Sequence, residues 1–209
     1  MTLRKMWFLL WSTTLIGAGI TVVVGSIMQM FDHEFGFMDM KSTGFNMLNM
    51  ALAGLLFGVF SQLGFFAYLT INYLALGMLR KKYLWNTLQA YCTLFAVGGL
   101  GYKLYGTSEL HQNNWFFWVL PLALLMASIF VSYLKSKRTN NSAFMPTMFL
   151  LFVGTTLEAW PSMGEDSNPL TIVFMVAPLF VCNSYLIMQL HRIVNSDKAD
   201  TAASAGTAL

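Results

Sequence analysis

The chain has 209 residues, of which 56% are hydrophobic and only 10% are charged, with a formal net charge of +3. About a quarter of the residues are charged in an ordinary water-soluble domain, so this composition excludes that class. Long apolar runs that do not alternate with polar residues also exclude a membrane β-barrel, and the sequence therefore predicts an all-α membrane protein.

Six apolar segments are each long enough to cross the hydrocarbon core of a bilayer, which takes about 20 helical residues. They are Met6–Met30, Phe45–Leu79, Tyr83–Tyr105, Trp115–Leu134, Phe144–Trp160 and Leu170–His191. The first segment is far longer than the apolar region of a signal peptide, about 7–15 residues, so we expect it to be retained. The sequence predicts a bundle of six transmembrane helices forming one domain over residues 1–194. A small, polar and disordered tail is predicted over 195–209.

Basic residues lie on one side of these predicted spans. If the N-terminus is inside, all of the 12 Lys and Arg residues except Lys41 and Lys103 fall on the inner side. Because cytoplasmic loops carry an excess of Lys and Arg, we expect both termini to face the cytoplasm. One crossing between Lys41 and Arg80 keeps this pattern. The second span should therefore occupy roughly residues 59–79, with 45–56 as an outer extension or a helix on the membrane surface.

The outer connection between the first two spans, residues 28–50, is rich in methionine around His33. Methionine and histidine are ligands for soft copper ions, and a copper-collecting motif belongs on the outer side. Methionines at helix ends are equally explained by apolar contact. Cys92 and Cys182 are isolated, so no row of cysteine ligands continues from this motif into the membrane. We favour packing and expect neither a metal nor a cofactor.

Enzyme motifs are not found in the sequence. The 3 histidines are scattered, and there is no H-E-x-x-H, G-x-S-x-G, P-loop or G-x-G-x-x-G pattern. No basic domain for nucleic acid is present either. The sequence therefore gives no reason to expect an enzyme or a nucleic-acid-binding protein.

Polar residues inside the predicted spans are the remaining functional candidates. Counting about 1.5 Å per residue from the charged helix ends places Gln62, Lys103 and Glu158 near the outer membrane boundary. An ionisable residue at membrane depth is a functional candidate, and we predict an ion pair between Glu158 and Lys103. The alternative is that both side chains extend to the lipid headgroups. Asn72 and Asn183 lie deeper, where they are expected to form hydrogen bonds between helices.

Three parts of the sequence resemble the KbaA family, small membrane proteins of spore-forming Bacillus relatives that activate KinB signalling. The first is FSQLGFFAYLTIN at residues 60–72. The second is FMPTMF from Phe144, continuing to LEAWP at 157–161, and the third is CNSY from Cys182 with LHR ending at Arg192. Together with the size, the spans and the basic loops, the resemblance covers roughly residues 5–195.

The resemblance implies a non-enzymatic regulator in the bacterial cell membrane. Its partners would be the lipid bilayer and a membrane sensor histidine kinase that feeds the sporulation phosphorelay. The residues best placed to contact the kinase are Gln62, Phe65, Phe66, Tyr68, Asn72, Glu158, Trp160 and Pro161. Internal packing is the alternative role for the aromatic residues. A small-solute or ion carrier is the alternative function, supported by the polar residues within the spans.

The predicted topology can be tested with reporter fusions. We expect a reporter fused after Leu209 to lie in the cytoplasm and one inserted at Gly164 to lie outside, because the basic residues hold the intervening loops on fixed sides. Protease protection and a compartment-sensitive reporter enzyme measure both positions. Finding the two reporters on one side would show that the number of spans is miscounted.

Overall fold

The computed structural model describes residues 3–31, 40–79, 81–105, 116–164 and 169–206, and every regular element within these ranges is helical. The predicted all-α class is confirmed. The α-helices are α1 (Leu3–Phe31), α2 (Met40–Leu79), α3 (Lys82–Tyr105), α4 (Phe116–Arg138), α5 (Phe144–Phe149), α6 (Thr155–Ala159) and α7 (Pro169–Gly206).

Among the described residues, four helical segments are long and apolar enough to cross a membrane. They are Arg4–Met30, Gly44–Leu79, Trp118–Arg138 and Leu170–Leu190, within α1, α2, α4 and α7. Helix α3 is less apolar, and the fifth predicted span is divided into short helical pieces. Membrane association is therefore supported, whereas the count of six spans and the orientation of the termini stay predictions.

The fifth predicted span is an irregular helical rod. A 3₁₀ turn at Asn141–Ala143 precedes α5, a π-helical turn at Leu150–Gly154 joins α5 to α6, and a 3₁₀ turn at Trp160–Ser162 ends the rod. A π turn inserts one additional residue, which rotates the following helix by about 100° relative to a continuous α-helix. The π turn therefore sets which side of α6 faces the other helices.

Helices α1 and α2 approach each other through glycines. A Cβ atom added at Gly54 would lie 2.5 Å from the carbonyl oxygen of Gly17, and one added at Gly58 would lie 2.7 Å from the Cα of Thr14. Glycines spaced by four residues allow this close backbone approach between membrane helices. Gly17 is part of this contact, since a Cβ atom added there would also lie 2.5 Å from the carbonyl oxygen of Gly54, but Gly19 has nothing within 4 Å of an added Cβ.

Two apolar cores share α7 and the π turn. One core packs the first half of α7 against α3, α4 and α6, and the π turn contributes Phe152 to it. The other core packs the middle of α7, at Leu186 and Ile187, against α1 and α2, and the π turn contributes Leu150 and Leu151. The π turn therefore lies between the two cores, where Leu150, Leu151 and Phe152 are buried.

Helices α1 and α2 differ in length on one side of their glycine contact. From the contact between Gly17 and Gly54, α1 and α2 each continue about 21 Å towards the connection between them at 1.5 Å per residue. In the other direction α1 continues about 21 Å to Leu3, whereas α2 continues about 37 Å to Leu79. Residues 45–56 thus lie beside α1, where Met50 contacts Gly25, and the outer extension over 45–56 stays a prediction. The positions of charges limit the number of crossings but not the offset between neighbouring helices.

Helix α7 extends past the predicted end of the folded domain. Its backbone is helical to Gly206, whereas the sequence predicts a disordered tail from Asn195. The segment is rich in alanine, which has the highest helix propensity, and a helix that is already nucleated grows at little cost. Composition alone identifies the tail as polar but does not show that it continues a helix.

The glycine contact makes a testable prediction about stability. We expect Gly54→Ala to lower the free energy of unfolding by about 1–3 kcal/mol, because the new methyl group collides with the backbone of α1. Gly19→Ala makes the same chemical change in open space, where it should leave the stability unchanged or raise it by about 0.4–1 kcal/mol. Thermal unfolding of the purified protein in detergent compares the two variants. Equal effects would contradict the close contact.

Candidate functional site

A buried polar cluster joins α2, α6 and α7, and Asn183 lies at its centre. The hydroxyl of Ser61 donates to Asn183 Oδ1 at 2.7 Å. Asn183 Nδ2 donates in turn to Thr155 Oγ1 at 3.1 Å and to Glu158 Oε2 at 2.8 Å. The side chains of Ser61, Thr155 and Asn183 are fully buried. One amide therefore connects three helices in the interior of the protein.

Glu158 places its carboxyl group against the backbone of α2. Its Oε1 lies where a Cβ atom of residue 64 would be, so Gly64 makes room for it. Oε1 is buried and has no hydrogen-bond partner among the described residues. Burying a carboxyl group is costly unless it is hydrogen-bonded, and here the donor to its second oxygen is Asn183. The cluster, which we call the Glu158 cluster, consists of Ser61, Gly64, Thr155, Glu158 and Asn183.

The depth of Glu158 differs from the sequence prediction. Counting along the fifth span places it near the outer boundary, with Asn183 deeper, but the two side chains are hydrogen-bonded. Asn183 lies nearer the Leu190 end than the Leu170 end of the apolar segment of α7, so Glu158 lies beside that part of α7 as well. The fifth rod is short and ends at the 3₁₀ turn before Met163, which explains the difference. Counting from charged ends assumes that all helices begin at one level.

Lys103 lies close to the same end of the fifth rod. Its ammonium nitrogen lies 5.9 Å from the centroid of the Trp160 ring, which is a cation–π distance. Trp160 follows Glu158 by half a turn of the rod, so α3 brings Lys103 near α6 as the sequence predicts. The carboxyl group itself faces Asn183 and Gly64. The ion pair between Glu158 and Lys103 stays a prediction.

The predicted contact residues on α2 are mostly internal. Phe65 is 0% exposed and Gln62 is 4% exposed, with Gln62 Nε2 unpaired among the described residues. Tyr68 is also buried, and its hydroxyl accepts a hydrogen bond from Gln89 of α3 at 3.3 Å. Phe66 is half-buried. In this conformation the alternative of internal packing describes Gln62, Phe65 and Tyr68 better than contact with a partner.

The two deep asparagines form the predicted bonds between helices. Asn183 connects α7 to α2 and α6, as described above. Asn72 of α2 accepts a hydrogen bond from the indole Nε1 of Trp85 in α3 at 2.7 Å. In the structure both side chains thus hydrogen-bond to a neighbouring helix. Bonds of this kind hold helices in register and average about 0.6 kcal/mol in membrane proteins.

The outward side of the fifth rod carries the predicted contact residues that remain accessible. Trp160 is 45% exposed, Pro161 is exposed, and Leu157 of the same turn is 65% exposed. These three residues share one face of the rod at positions i, i+3 and i+4, here called the Leu157 face, which is centred about 100° around the helix from the buried carboxyl group. One helical turn therefore presents an apolar surface outward and the Glu158 cluster inward.

Sequence reasoning missed Ser61, Gly64 and Thr155. Each is a small residue in an apolar run, and such residues are more often packing positions than polar partners. The signal that could have found Ser61 and Gly64 is their position on either side of Gln62 in the SQLG run. Nothing in the sequence around Thr155 identifies it as a polar partner, because the direction of its side chain depends on the π turn.

The structure describes only part of the methionine-rich connection in which a metal site was considered. Residues 32–39, with His33 and Met38, lie outside the described residues. Within the described ranges, no group of three His, Cys, Asp or Glu side chains could hold a metal ion. Nearby, Met50 of α2 packs its sulfur against Gly25 of α1, as expected for apolar contact. The role of the methionine-rich connection stays a prediction.

Comparisons with known proteins agree with the sequence resemblance. The family model KbaA, described as KinB-signalling pathway activation in sporulation, matches residues 17–193. The KinB-signaling pathway activation protein of Bacillus subtilis (strain 168) is 31% identical over 182 residues, which are 84% of this chain and 89% of that protein. No solved structure gives a significant match. The chain therefore belongs to the KbaA family, which is described by its part in KinB-signalling pathway activation in sporulation.

Proposed function

We propose that this protein is a non-enzymatic regulator in the bacterial cell membrane that activates a sensor histidine kinase of the KinB type. The kinase would feed the phosphorelay for sporulation. The family membership supports the role in KinB signalling, and the four long apolar helices support a location in the membrane. The charge pattern supports six spans with both termini in the cytoplasm.

The observation that carries the mechanism is the two-sided turn of α6. Its Leu157 face is exposed, while Glu158, about 100° around the helix, is held by Asn183 and abuts α2. We assign the Leu157 face as the surface that contacts a membrane helix of the kinase. Gln62, Phe65 and Tyr68 would then act indirectly, by fixing the position of α2 behind α6.

Activation by such a contact requires two states of the kinase with different affinities for this protein. A partner can shift an equilibrium only by its differential affinity for the two states. The π turn gives α6 a defined rotation, and the Glu158 cluster holds that rotation. The Leu157 face is thus presented in one orientation, which selects the kinase state that fits it.

A small-solute or ion carrier is the second candidate function. A broken helix beside a buried carboxyl group is an arrangement that carriers use for substrate sites. In favour of it, Glu158 Oε1 and Gln62 Nε2 are both buried without a hydrogen-bond partner among the described residues. The two functions differ in one observable. Loss of a regulator delays sporulation without changing the uptake of any nutrient or ion, whereas loss of a carrier changes uptake.

Glu158→Gln tests the Glu158 cluster. The change preserves size and hydrogen bonding but removes the charge, and breaking a buried charge pair costs about 3–5 kcal/mol, against about 0–1 kcal/mol at an exposed site. We expect reduced sporulation signalling, measured with a kinase-dependent reporter at equal protein levels. Lys103→Met in the same chain should restore part of the signal.

The matched control is Glu165→Gln, the same chemical change in the connection before α7, which should signal normally. A Glu158→Gln protein that accumulates and signals like the wild type would refute the proposed role of the carboxyl group. If Lys103→Met gave no rescue while signalling fell, the ion pair would be refuted and the bond to Asn183 would remain.

Photo-crosslinking tests the Leu157 face directly. A photoreactive amino acid at position 157 should capture the kinase in native membranes, because that side chain is accessible and apolar. Met126 of α4 is 67% exposed and serves as the matched control, where little capture is expected. Equal capture from both positions, or none from position 157, would contradict the assignment. Identification of the captured protein by mass spectrometry completes the measurement.

A further inference from the structure

An apolar groove lies between α3 and the start of α5, away from the Glu158 cluster. Its volume is about 490 Å³ and it is open along one side. The lining residues include Tyr83, Asn86, Thr87, Ala90, Leu94 and Met145. Those on α3 recur every three or four positions, so they form one face of that helix. Neither the KbaA family description nor the proposed kinase contact assigns a role to this groove.

The length of the groove matches one leaflet of a bilayer. From Tyr83 to Leu94 the face of α3 extends about 17 Å at 1.5 Å per residue, and half of the hydrocarbon core is about 15 Å. A single extended hydrocarbon chain therefore fits along it. A membrane helix, about 10–12 Å in diameter with its side chains, is wider than a groove of this volume can enclose.

The end of the groove near Tyr83 is basic. Lys82 Nζ donates to Ser142 Oγ at 3.5 Å, which connects the start of α3 to the turn before α5. Lys81 and Lys82 are exposed there. Lys137 and Arg138, also exposed, end α4 a few residues before Ser142. Two exposed lysines thus stand at the start of α3 at this end of the groove, and two exposed basic residues end α4 shortly before Ser142.

A polar group lies one turn inside this basic end. Asn86 lines the groove, and its side-chain carbonyl is buried without a hydrogen-bond partner among the described residues. The oxygen and nitrogen of an Asn amide are exchanged by a 180° rotation, so Asn86 can offer either an acceptor or a donor. The groove therefore has an apolar length, one adaptable amide and a positively charged mouth.

We propose that this groove binds an anionic phospholipid of the bilayer. One acyl chain would lie along α3 between Tyr83 and Leu94, and the phosphate would lie beside Lys81 and Lys82. Basic pockets between membrane helices bind anionic headgroups through the same combination of charge and apolar contact. The site rests on the contacts of α3 and α5 and is independent of which kinase, if any, the protein activates.

Native mass spectrometry of the full-length protein, released from nanodiscs of phosphatidylglycerol and phosphatidylethanolamine, tests the proposal. We expect one phosphatidylglycerol to be retained per chain in preference to phosphatidylethanolamine. Lys82→Gln should weaken this retention about fivefold, the effect of one basic residue near an anionic membrane surface. Lys41→Gln removes the same charge at the Met40 end of α2, far from the groove, and should leave retention unchanged.

A second pair of variants tests the apolar part. Ala90→Leu fills the groove and should abolish retention, whereas Ala123→Leu adds the same side chain at an exposed position of α4 and should not. Thr87→Leu replaces Ala90→Leu if that variant does not fold. Equal retention of the two lipids, unchanged retention in both groove variants, or a copurified protein in place of lipid would each overturn the proposal.

Discussion

An amide buried among membrane helices must find its hydrogen bonds within the protein, because no water is available there. Asn183 meets this requirement only by contacting α2 and α6 at once. The positions of Ser61, Thr155 and Glu158 follow from it, and so does the rotation of α6. A single side chain thus fixes how three helices of the bundle face one another.

The π turn makes this arrangement possible. Without its additional residue, α6 would be rotated by about 100°, and Glu158 would no longer point at Asn183. The same five residues, Leu150–Gly154, supply side chains to both apolar cores. A local irregularity in one helix is therefore held by packing on both sides. Its usual association with functional positions agrees with the carboxyl group that follows it.

The sequence predicts the class of fold and part of the site, because composition and polar residues in apolar runs carry those signals. Asn72 and Asn183 were identifiable since a polar amide in a membrane helix needs a partner on another helix. The contact of Glu158 with Asn183 was not, because it depends on the offset between helices and on the π turn. From the sequence, Phe65 and Tyr68 were predicted to contact a partner. They are buried because their side of α2 meets α7 and α3, which the sequence does not show. Periodicity does not distinguish a face that packs inside from one that meets a partner.

The offset between α1 and α2 has a consequence for the surrounding lipid. A 40-residue helix such as α2 is about 60 Å long, and at the largest usual tilt, about 40°, it still spans roughly 46 Å. That exceeds the hydrocarbon thickness of about 30 Å, whereas α1 beside it ends about 16 Å earlier. The two neighbours therefore have unequal hydrophobic mismatch at the Leu79 end. Because the glycine contact joins the two helices, a change in bilayer thickness acts on both together. Its effect is larger on α2, whose hydrophobic mismatch is larger.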